Sequence, residues 1–356
     1  MREFHPWNLE LWRQITATRE RLPHAMLLAG PAGAGKTALA LALARYLTCQ
    51  APAADTACGA CHSCLLFAVA TLPDFHLLST EFEREQAAET SLFYRYGGRY
   101  LDPDEERRKR TKPRRVISIG QIRGLISGFS TRPHTAPHKV ALIAPAETMT
   151  LSAANALLKL LEEPPADSTL ILVSSDPSRL PATIRSRCMV MKVALPAREE
   201  ALEWLGGLEW PEGRELNSAE AELALQLAGG APLAAAALVE NKFLERHAEL
   251  IQVFDRLLAG KIDPVAAAEQ WRKEDFSMLL LWLQRLVADL VRRHSGLPAQ
   301  IRRGDETPPV GGARRLHLLY RAYDKISRFR QMAQDQINPQ LALEELLLSL
   351  QDYQES

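Results

Sequence analysis

The segment AMLLAGPAGAGKTALALALARYL, residues 25–47, decides the fold of this chain. Its apolar start predicts a buried strand at Ala25–Ala29, and its alanine- and leucine-rich end predicts a helix from Ala38 to Leu47. Between them, GPAGAGKT at residues 30–37 has the spacing of a phosphate-binding loop. A strand, a glycine-rich loop and a helix in this order predict an α/β fold.

Each residue type in the loop suits a phosphate ligand. The glycines Gly30, Gly33 and Gly35 let backbone N–H groups approach phosphate oxygens. Lys36 can reach the terminal phosphates, and Thr37 offers a hydroxyl to Mg²⁺. We therefore expect bound ATP or ADP with Mg²⁺, although a glycine-rich turn that has lost its nucleotide has the same sequence.

Four further apolar runs alternate with helical patterns up to about residue 193, as a parallel sheet with covering helices requires. Ser118 and Gln121 form a capping-box pattern that opens a helix ending near Phe129, and a second helix is predicted from Ser152 to Glu163. The predicted strands are Phe75–Leu78, Val140–Ile143, Leu170–Val173 and Met189–Val193.

After Pro196 the strand pattern disappears and an all-helical region is predicted. Glycine and proline positions separate its helices, and apolar stretches such as Phe276–Val291 and Leu341–Leu350 have helical spacing. We interpret these stretches as packed core. The predicted breaks are Trp210-Pro211, Gly229-Gly230, Gly260 and the loop Arg303–Gly312.

Composition narrows the class of protein. The 356 residues predict two or three domains, and 47% hydrophobic with 24% charged residues is ordinary globular composition. No membrane-length apolar run and no leader pattern are found, so a cytoplasmic protein is expected. The formal net charge of zero predicts that any DNA contact is shared with partners.

Residues 80–115 form a polar, charged insertion in the α/β region. Asp102–Glu106 is acidic and Arg107–Arg115 is strongly basic. We favour a solvated insertion, because adjacent opposite charges neutralise one another. The alternative is an arm that contacts DNA or an acidic partner.

Cys49, Cys58, Cys61 and Cys64 are separated by eight, two and two residues. Short gaps of this kind let four thiolates surround one tetrahedral ion, so a structural Zn²⁺ in the 49–64 segment is predicted. Four cysteines leave no open position for catalysis. Free reduced cysteines, or a site in which His62 replaces one thiolate, remain as alternatives.

The cysteine spacing and four motifs together resemble the clamp-loader branch of the AAA+ ATPases. The motifs are RLPHAMLLAGPAGAGKT (21–37), LSAANALLKLLEEPP (151–165), IRSRC (184–188) and INPQLALEELLLSL (337–350). The resemblance implies an AAA+ P-loop core at 1–195, a small helical lid at 196–243 and a helical collar at 244–356 that joins subunits into a ring. It also implies a role beside the delta and ATP-hydrolysing gamma or tau subunits of bacterial DNA polymerase III, which load the sliding beta clamp onto primed DNA.

The residues that would make the loop catalytic are missing. In active relatives the third strand ends in an Asp-Glu pair, which here falls on Ala144 and Pro145, and a lid arginine falls on Leu233. Ser174 or Ser175 is expected at the position that senses the phosphate. Loss of the acids predicts a subunit that binds ATP without hydrolysing it.

Arg187 lies in the Ser-Arg-Cys motif, which the resemblance implies is an arginine finger for the ATP site of a neighbouring subunit. Arg185 is a weaker candidate, and a salt-bridged arginine at a domain edge is the plain alternative. Two other functions remain open. One is a gamma-like ATPase that uses Glu147, although we expect Glu147 to lie too far along the chain. The other is a zinc-dependent nucleic-acid module that uses Arg107–Arg115.

Overall fold

The computed structural model describes residues 4–101, 112–297, 313–332 and 338–351. The predicted first strand forms at Ala25–Ala29 (β1), and all five predicted strands are confirmed. They make one parallel sheet in the order β2-β3-β4-β1-β5. The remaining strands are β2 (Phe75–Leu78), β3 (Lys139–Ile143), β4 (Ser168–Ser174) and β5 (Met189–Lys192).

Helices cover both faces of the sheet, so its inner strands are continuous apolar runs. Met26 and Leu28 face one core, whereas Ala25 and Leu27 face the other. The described α-helices of this first region are α1 (Leu9–Ala17), α2 (Lys36–Thr48), α3 (His62–Ala68), α4 (Glu81–Gln86), α5 (Leu92–Gly97), α6 (Ile119–Phe129), α7 (Leu151–Glu162) and α8 (Ala182–Arg185).

Two helix starts test the capping predictions. The capping box that opens α6 is confirmed, because Gln121 N donates to Ser118 Oγ (3.3 Å) and Ser118 N donates to Gln121 Oε1 (2.9 Å). The predicted start of α7 at Ser152 is wrong by one residue. Thr150 caps the helix instead, its hydroxyl accepting from Ala153 N at 3.2 Å, so α7 begins at Leu151.

Contacts divide the chain into two compact units after Pro196. The described part of the second unit is helical, and its core includes Trp271 and Phe254. The finer division into lid and collar at residue 243 stays a prediction. The described helices of the second unit are α9 (Arg198–Gly206), α10 (Ser218–Leu227), α11 (Pro232–Glu240), α12 (Phe243–Leu258), α13 (Pro264–Trp271), α14 (Phe276–His294), α15 (Ala313–Gln331) and α16 (Pro339–Gln351).

No single helix in the described ranges has both the length and the apolar composition needed to cross a membrane. One bent pair, Ser218–Leu227 with Pro232–Glu240, meets the composition test, but its apolar residues lie in the core of the second unit.

A buried carboxylate, Asp74, holds the loop between α6 and β3. Its two oxygens accept backbone N–H bonds from His134 (2.7 Å), Thr135 (2.6 Å) and Ala136 (2.8 Å). Burial alone would raise the pKa of Asp74, but these hydrogen bonds and the charge of Lys139 lower it. The loop therefore reaches β3 in one fixed register.

We predict that Asp74→Asn lowers the free energy of unfolding by about 2 kcal/mol, because an amide N–H then faces a backbone N–H. Since the folded pKa of Asp74 lies below its unfolded value, this stabilisation is present above about pH 4 and is lost as the pH falls further. Urea unfolding of both proteins at neutral and acidic pH measures the difference. Asp176→Asn, at an exposed helix cap, is the control. Equal losses for the two variants contradict the role of Asp74.

Candidate functional site

The phosphate-binding loop leaves β1 at the C-terminal edge of the sheet. Gly33 and Gly35 have φ values of +80° and +85°, a conformation that favours glycine. A Cβ on Gly30 would lie 2.1 Å from Val193 O, and one on Gly35 would lie 2.6 Å from the His5 ring. The predicted glycines are therefore required by the backbone path, which curls tightly into the start of α2.

Lys36 is turned back onto the loop itself. Its Nζ donates to Gly30 O (2.8 Å) and Pro31 O (2.6 Å), and the residue is only 5% exposed. Burial lowers the pKa of Lys36 to about 8, whereas the negative charge of Glu147 opposes that shift. The amine is thus hydrogen-bonded to carbonyl groups of the loop itself. A bound phosphate would have to draw the amine away from them.

Two side chains that precede α1 hydrogen-bond to the backbone of the phosphate loop. Trp7 Nε1 and Asn8 Nδ2 both donate to Ala34 O, at 2.9 and 3.1 Å. These contacts were not predicted, because His5–Asn8 lacks a recognisable motif and lies more than twenty residues upstream. They fix Ala34 and with it the central turn of the loop.

The residues that follow β3, at the same edge of the sheet as the loop, are not the acidic pair of active relatives. β3 ends at Ile143 and is followed by the buried Ala144 and by Pro145, as predicted. The negative charge of Glu147 acts on Lys36, where it opposes the lowering of the lysine pKa by burial. One of its oxygens accepts from Ser175 N at 2.9 Å, and the other is buried without a hydrogen-bond partner in the described residues.

The residues at the two phosphate-sensing positions, Ser174 and Leu233, carry no charge. The Ser174 hydroxyl, at the end of β4, is fully buried and has no hydrogen-bond partner in the described residues. Leu233 is half-buried in the first turn of α11, in the second unit. The backbone cradle and Lys36 fit the phosphates of a nucleotide, but these side chains provide neither of the acids needed to hold Mg²⁺ and align water.

Arg187 lies at the opposite edge of the sheet. It precedes β5, whose Met189 pairs with Met26 near the start of β1, whereas the loop follows Ala29. Three residues of β-strand span about 10 Å, and Arg187 lies further still in the same direction. Arg187 therefore cannot act on the phosphate loop of its own chain.

The Arg187 side chain is held on the surface. Nη2 and Nε bond to Glu162 Oε1 at 2.6 and 3.0 Å, and Nη1 donates to Thr183 O at 3.0 Å. The arginine and glutamate side chains are 37% and 51% exposed. Ion pairs this exposed contribute about 0–1 kcal/mol, so the guanidinium is easily released.

The four predicted cysteines converge. Their Sγ atoms all lie within 4.8 Å of one another, with Cys49 3.5 Å from Cys58 and 3.9 Å from Cys61. Zn–S bonds of about 2.3 Å in a tetrahedron place sulfurs about 3.8 Å apart. Backbone N–H groups of Ala60 and Cys61 lower the pKa of Cys58, whereas burial raises the pKa of Cys49 and Cys64. His62 is outside the cluster.

The charged insertion is only partly described, and most of the basic run Arg107–Arg115 lies outside the described residues. Its two ends are joined: Arg114 N donates to the buried Glu81 Oε2 at 2.8 Å, and Phe82 N donates to Arg114 O at 3.1 Å. Arg115 stacks over Phe82, 3.4 Å from the ring centroid. These contacts close the insertion at its base.

Comparison with known proteins finds relatives of both structural units. A sequence model described as "DNA polymerase III, delta subunit" matches residues 7–196, and its C-terminal counterpart matches residues 241–352. "DNA polymerase III subunit delta'" of Pseudomonas aeruginosa is 37% identical over 79% of this chain and 75% of its own. The protein of that name from Escherichia coli is 29% identical over 98% of this chain and 96% of its own.

A more distant match is "DNA polymerase III subunit tau" of Escherichia coli, which is 33% identical over 48% of this chain and 21% of its own. The delta-prime relatives, by contrast, match across both structural units. The chain belongs to the delta-prime subunit family of DNA polymerase III.

Proposed function

We propose that this protein is a non-hydrolysing subunit of a clamp loader, which supports loading of the sliding beta clamp onto primed DNA and supplies Arg187 to a neighbouring ATP site. The observation that carries the proposal is the placement of Arg187 and the phosphate loop at opposite edges of one sheet. A chain built this way presents its arginine outward and its loop on the other side. Delta and gamma or tau subunits are the partners proposed.

The contacts of Arg187 suit a residue that acts on another chain. An exposed ion pair to Glu162 orients the guanidinium without trapping it, because such pairs are weak. A planar guanidinium can then form paired hydrogen bonds to the oxygens of a transferring phosphoryl group. Glu162 is thus a positioning residue in the proposal, and Arg187 is the catalytic one.

We predict that Arg187→Ala lowers ATP turnover at the neighbouring site of the reconstituted ring by about 10³-fold, with loss of clamp loading. Arg187→Lys should not restore turnover, because an ammonium lacks the planar pair of donors. Single-turnover hydrolysis measures the effect, and Arg185→Ala, two residues away, is the control. Unchanged turnover in the Arg187→Ala ring rules out the finger role.

The loop is proposed to bind ATP or ADP through Gly30, Gly33, Gly35, Lys36 and Thr37, with Mg²⁺ at the Thr37 hydroxyl. When bound, the nucleotide supplies phosphate charge that stabilises protonated Lys36. The same loop is compatible with a second function, a gamma-like ATPase, and the orphaned oxygen of Glu147 favours it. The absence of acids at Ala144 and Pro145 favours binding alone.

We predict that the isolated chain binds ATP without steady hydrolysis, and that its affinity falls as the pH rises above about 8, where free Lys36 loses its proton. Titration calorimetry across this pH range measures the affinity, and a phosphate-release assay measures hydrolysis. Lys36→Met is the control without an ammonium group and should bind weakly at every pH. Steady turnover that Glu147→Gln abolishes would establish the ATPase alternative.

The four converged cysteines are proposed to hold one structural Zn²⁺. The ion would close the segment between α2 and α3, which has little apolar material of its own. Four thiolates complete a tetrahedron, so the site stabilises the fold and leaves no position for a reacting water.

Metal analysis of the purified chain should find about one Zn²⁺ per chain. Cys58→Ser should lose most of it and lower the thermal midpoint, because a structural zinc site contributes directly to folding. Cys188→Ser, at the buried cysteine outside the cluster, should keep its metal. Full zinc content in Cys58→Ser, or none in the unmodified chain, contradicts the site.

A further inference from the structure

A carboxylate lies at the sheet edge just after the strand end that lacks acids. The 3₁₀ turn Ala146–Thr148 follows β3 and carries Glu147 in its middle. Ala146 is fully buried, and Thr148 Oγ1 donates to Pro145 O at 2.7 Å, so the turn is held in place. β1 and β3 both run parallel to β4. The turn after β3 and the phosphate loop after β1 therefore lie at the same edge of the sheet.

Two hydrogen bonds connect Glu147 to the first residue of the phosphate loop. Glu147 Oε1 accepts from Ser175 N at 2.9 Å, and Ser174 O accepts from Gly30 N at 3.3 Å. Ser174 O and Ser175 N belong to one peptide group and are less than about 2.6 Å apart. Glu147 Oε1 therefore lies at most about 9 Å from Gly30 N.

The second oxygen of this carboxylate has no hydrogen-bond partner in the described part of the chain. Glu147 Oε2 is buried. The Lys36 ammonium, on which the charge of Glu147 acts, donates to Gly30 O and Pro31 O instead. Leaving a buried anionic oxygen without a partner costs free energy. The orphaned oxygen therefore indicates that a donor or a cation binds to it.

A cation fits this place better than a neutral donor. A negative charge beside a phosphate-binding loop repels the phosphates of a nucleotide unless a cation lies between them. Mg²⁺ takes oxygen ligands, keeps several of its waters, and in nucleotide sites is bound by one or two carboxylates together with the phosphates. Glu147 Oε2 and the Thr37 hydroxyl provide one carboxylate oxygen and one neutral oxygen, so the residues present fit Mg²⁺.

We propose that Glu147 is the carboxylate that binds the Mg²⁺ of a nucleotide in the phosphate loop, in place of the acid that is missing at Ala144. The inference rests on the proposed nucleotide binding and adds the metal ligand to it. Because Oε1 is held by Ser175 N, Glu147 has one oxygen left for the metal and none to align an attacking water. One carboxylate in this position supports binding of the nucleotide without its hydrolysis.

The test is titration calorimetry of the full chain with ATP, in Mg²⁺ and in EDTA. Mg²⁺ should tighten ATP binding to the unmodified chain. In Glu147→Gln this gain should fall by at least about tenfold, since loss of a mere partner of a metal ligand already costs about 10- to 100-fold in metal affinity. In EDTA the variant should bind ATP at least as tightly as the unmodified chain, because a charge that repels the phosphates is gone. The glutamine keeps an oxygen that accepts from Ser175 N.

Two further variants serve as controls. Thr37→Val should lose part of the same Mg²⁺-dependent gain. Glu163→Gln removes an equal charge from an exposed residue just after α7, and it should change neither affinity.

Two outcomes for Glu147→Gln overturn the inference. One is an unchanged gain from Mg²⁺, and the other is an equal loss of affinity in Mg²⁺ and in EDTA, which means that the carboxylate only supports the loop. If the unmodified chain binds ATP in neither condition, the proposed nucleotide binding itself fails, and the inference fails with it.

Discussion

The parallel pairing of β1 with β5 is the constraint on which the arrangement of functional groups depends. β1 leads into the phosphate loop at its C-terminal end, and Arg187 precedes β5 at its N-terminal end. Parallel strands place these points at opposite edges of the sheet. An antiparallel or shifted β5 would bring the arginine toward its own loop. The direction of one edge strand therefore separates the phosphate loop from Arg187.

Much of the fold followed from local sequence patterns. The inner strands are continuous apolar runs because helices cover both faces, and such runs are visible without any knowledge of the fold. The phosphate loop was predicted from its glycines, because its backbone conformation excludes other residues at those positions. The convergence of the four cysteines was predicted because three of them are close in sequence. Only the segment between Cys49 and Cys58 has to fold back to complete the cluster.

Contacts between distant segments could not be predicted in this way. Glu162 and Arg187 are 25 residues apart, and only the packing of α7 beside α8 brings them together. The influence of Glu147 on the pKa of Lys36 could not be predicted either, because counting along the chain does not show how the segment after Pro145 turns. The Arg285 side chain lies so close to Gly229 that a Cβ there would be 2.1 Å from Nη2. The two residues belong to separate helix pairs, and from the sequence the glycine was interpreted only as a break between helices.

The cysteine segment is linked to the sheet through the loop that Asp74 holds. Thr135 O accepts from Gln50 Nε2 at 3.0 Å and from Ser63 Oγ at 3.4 Å, while Thr135 N donates to Asp74. One residue thus connects the cysteine segment to the residue before β2. A metal ion that orders residues 49–64 would also restrain the approach to β3, through hydrogen bonds rather than through an apolar interface.

The Lys36 ammonium group donates to Gly30 O and Pro31 O, so it is tied to the backbone of the loop that it serves. Loops that need nucleotide to become ordered couple their subunit to the supply of ATP, because ligand binding then adds to the stability of the ordered state. In this loop such stabilisation would have to exceed the two hydrogen bonds that Lys36 gives up, so the coupling would be weaker than in a loop whose lysine is free.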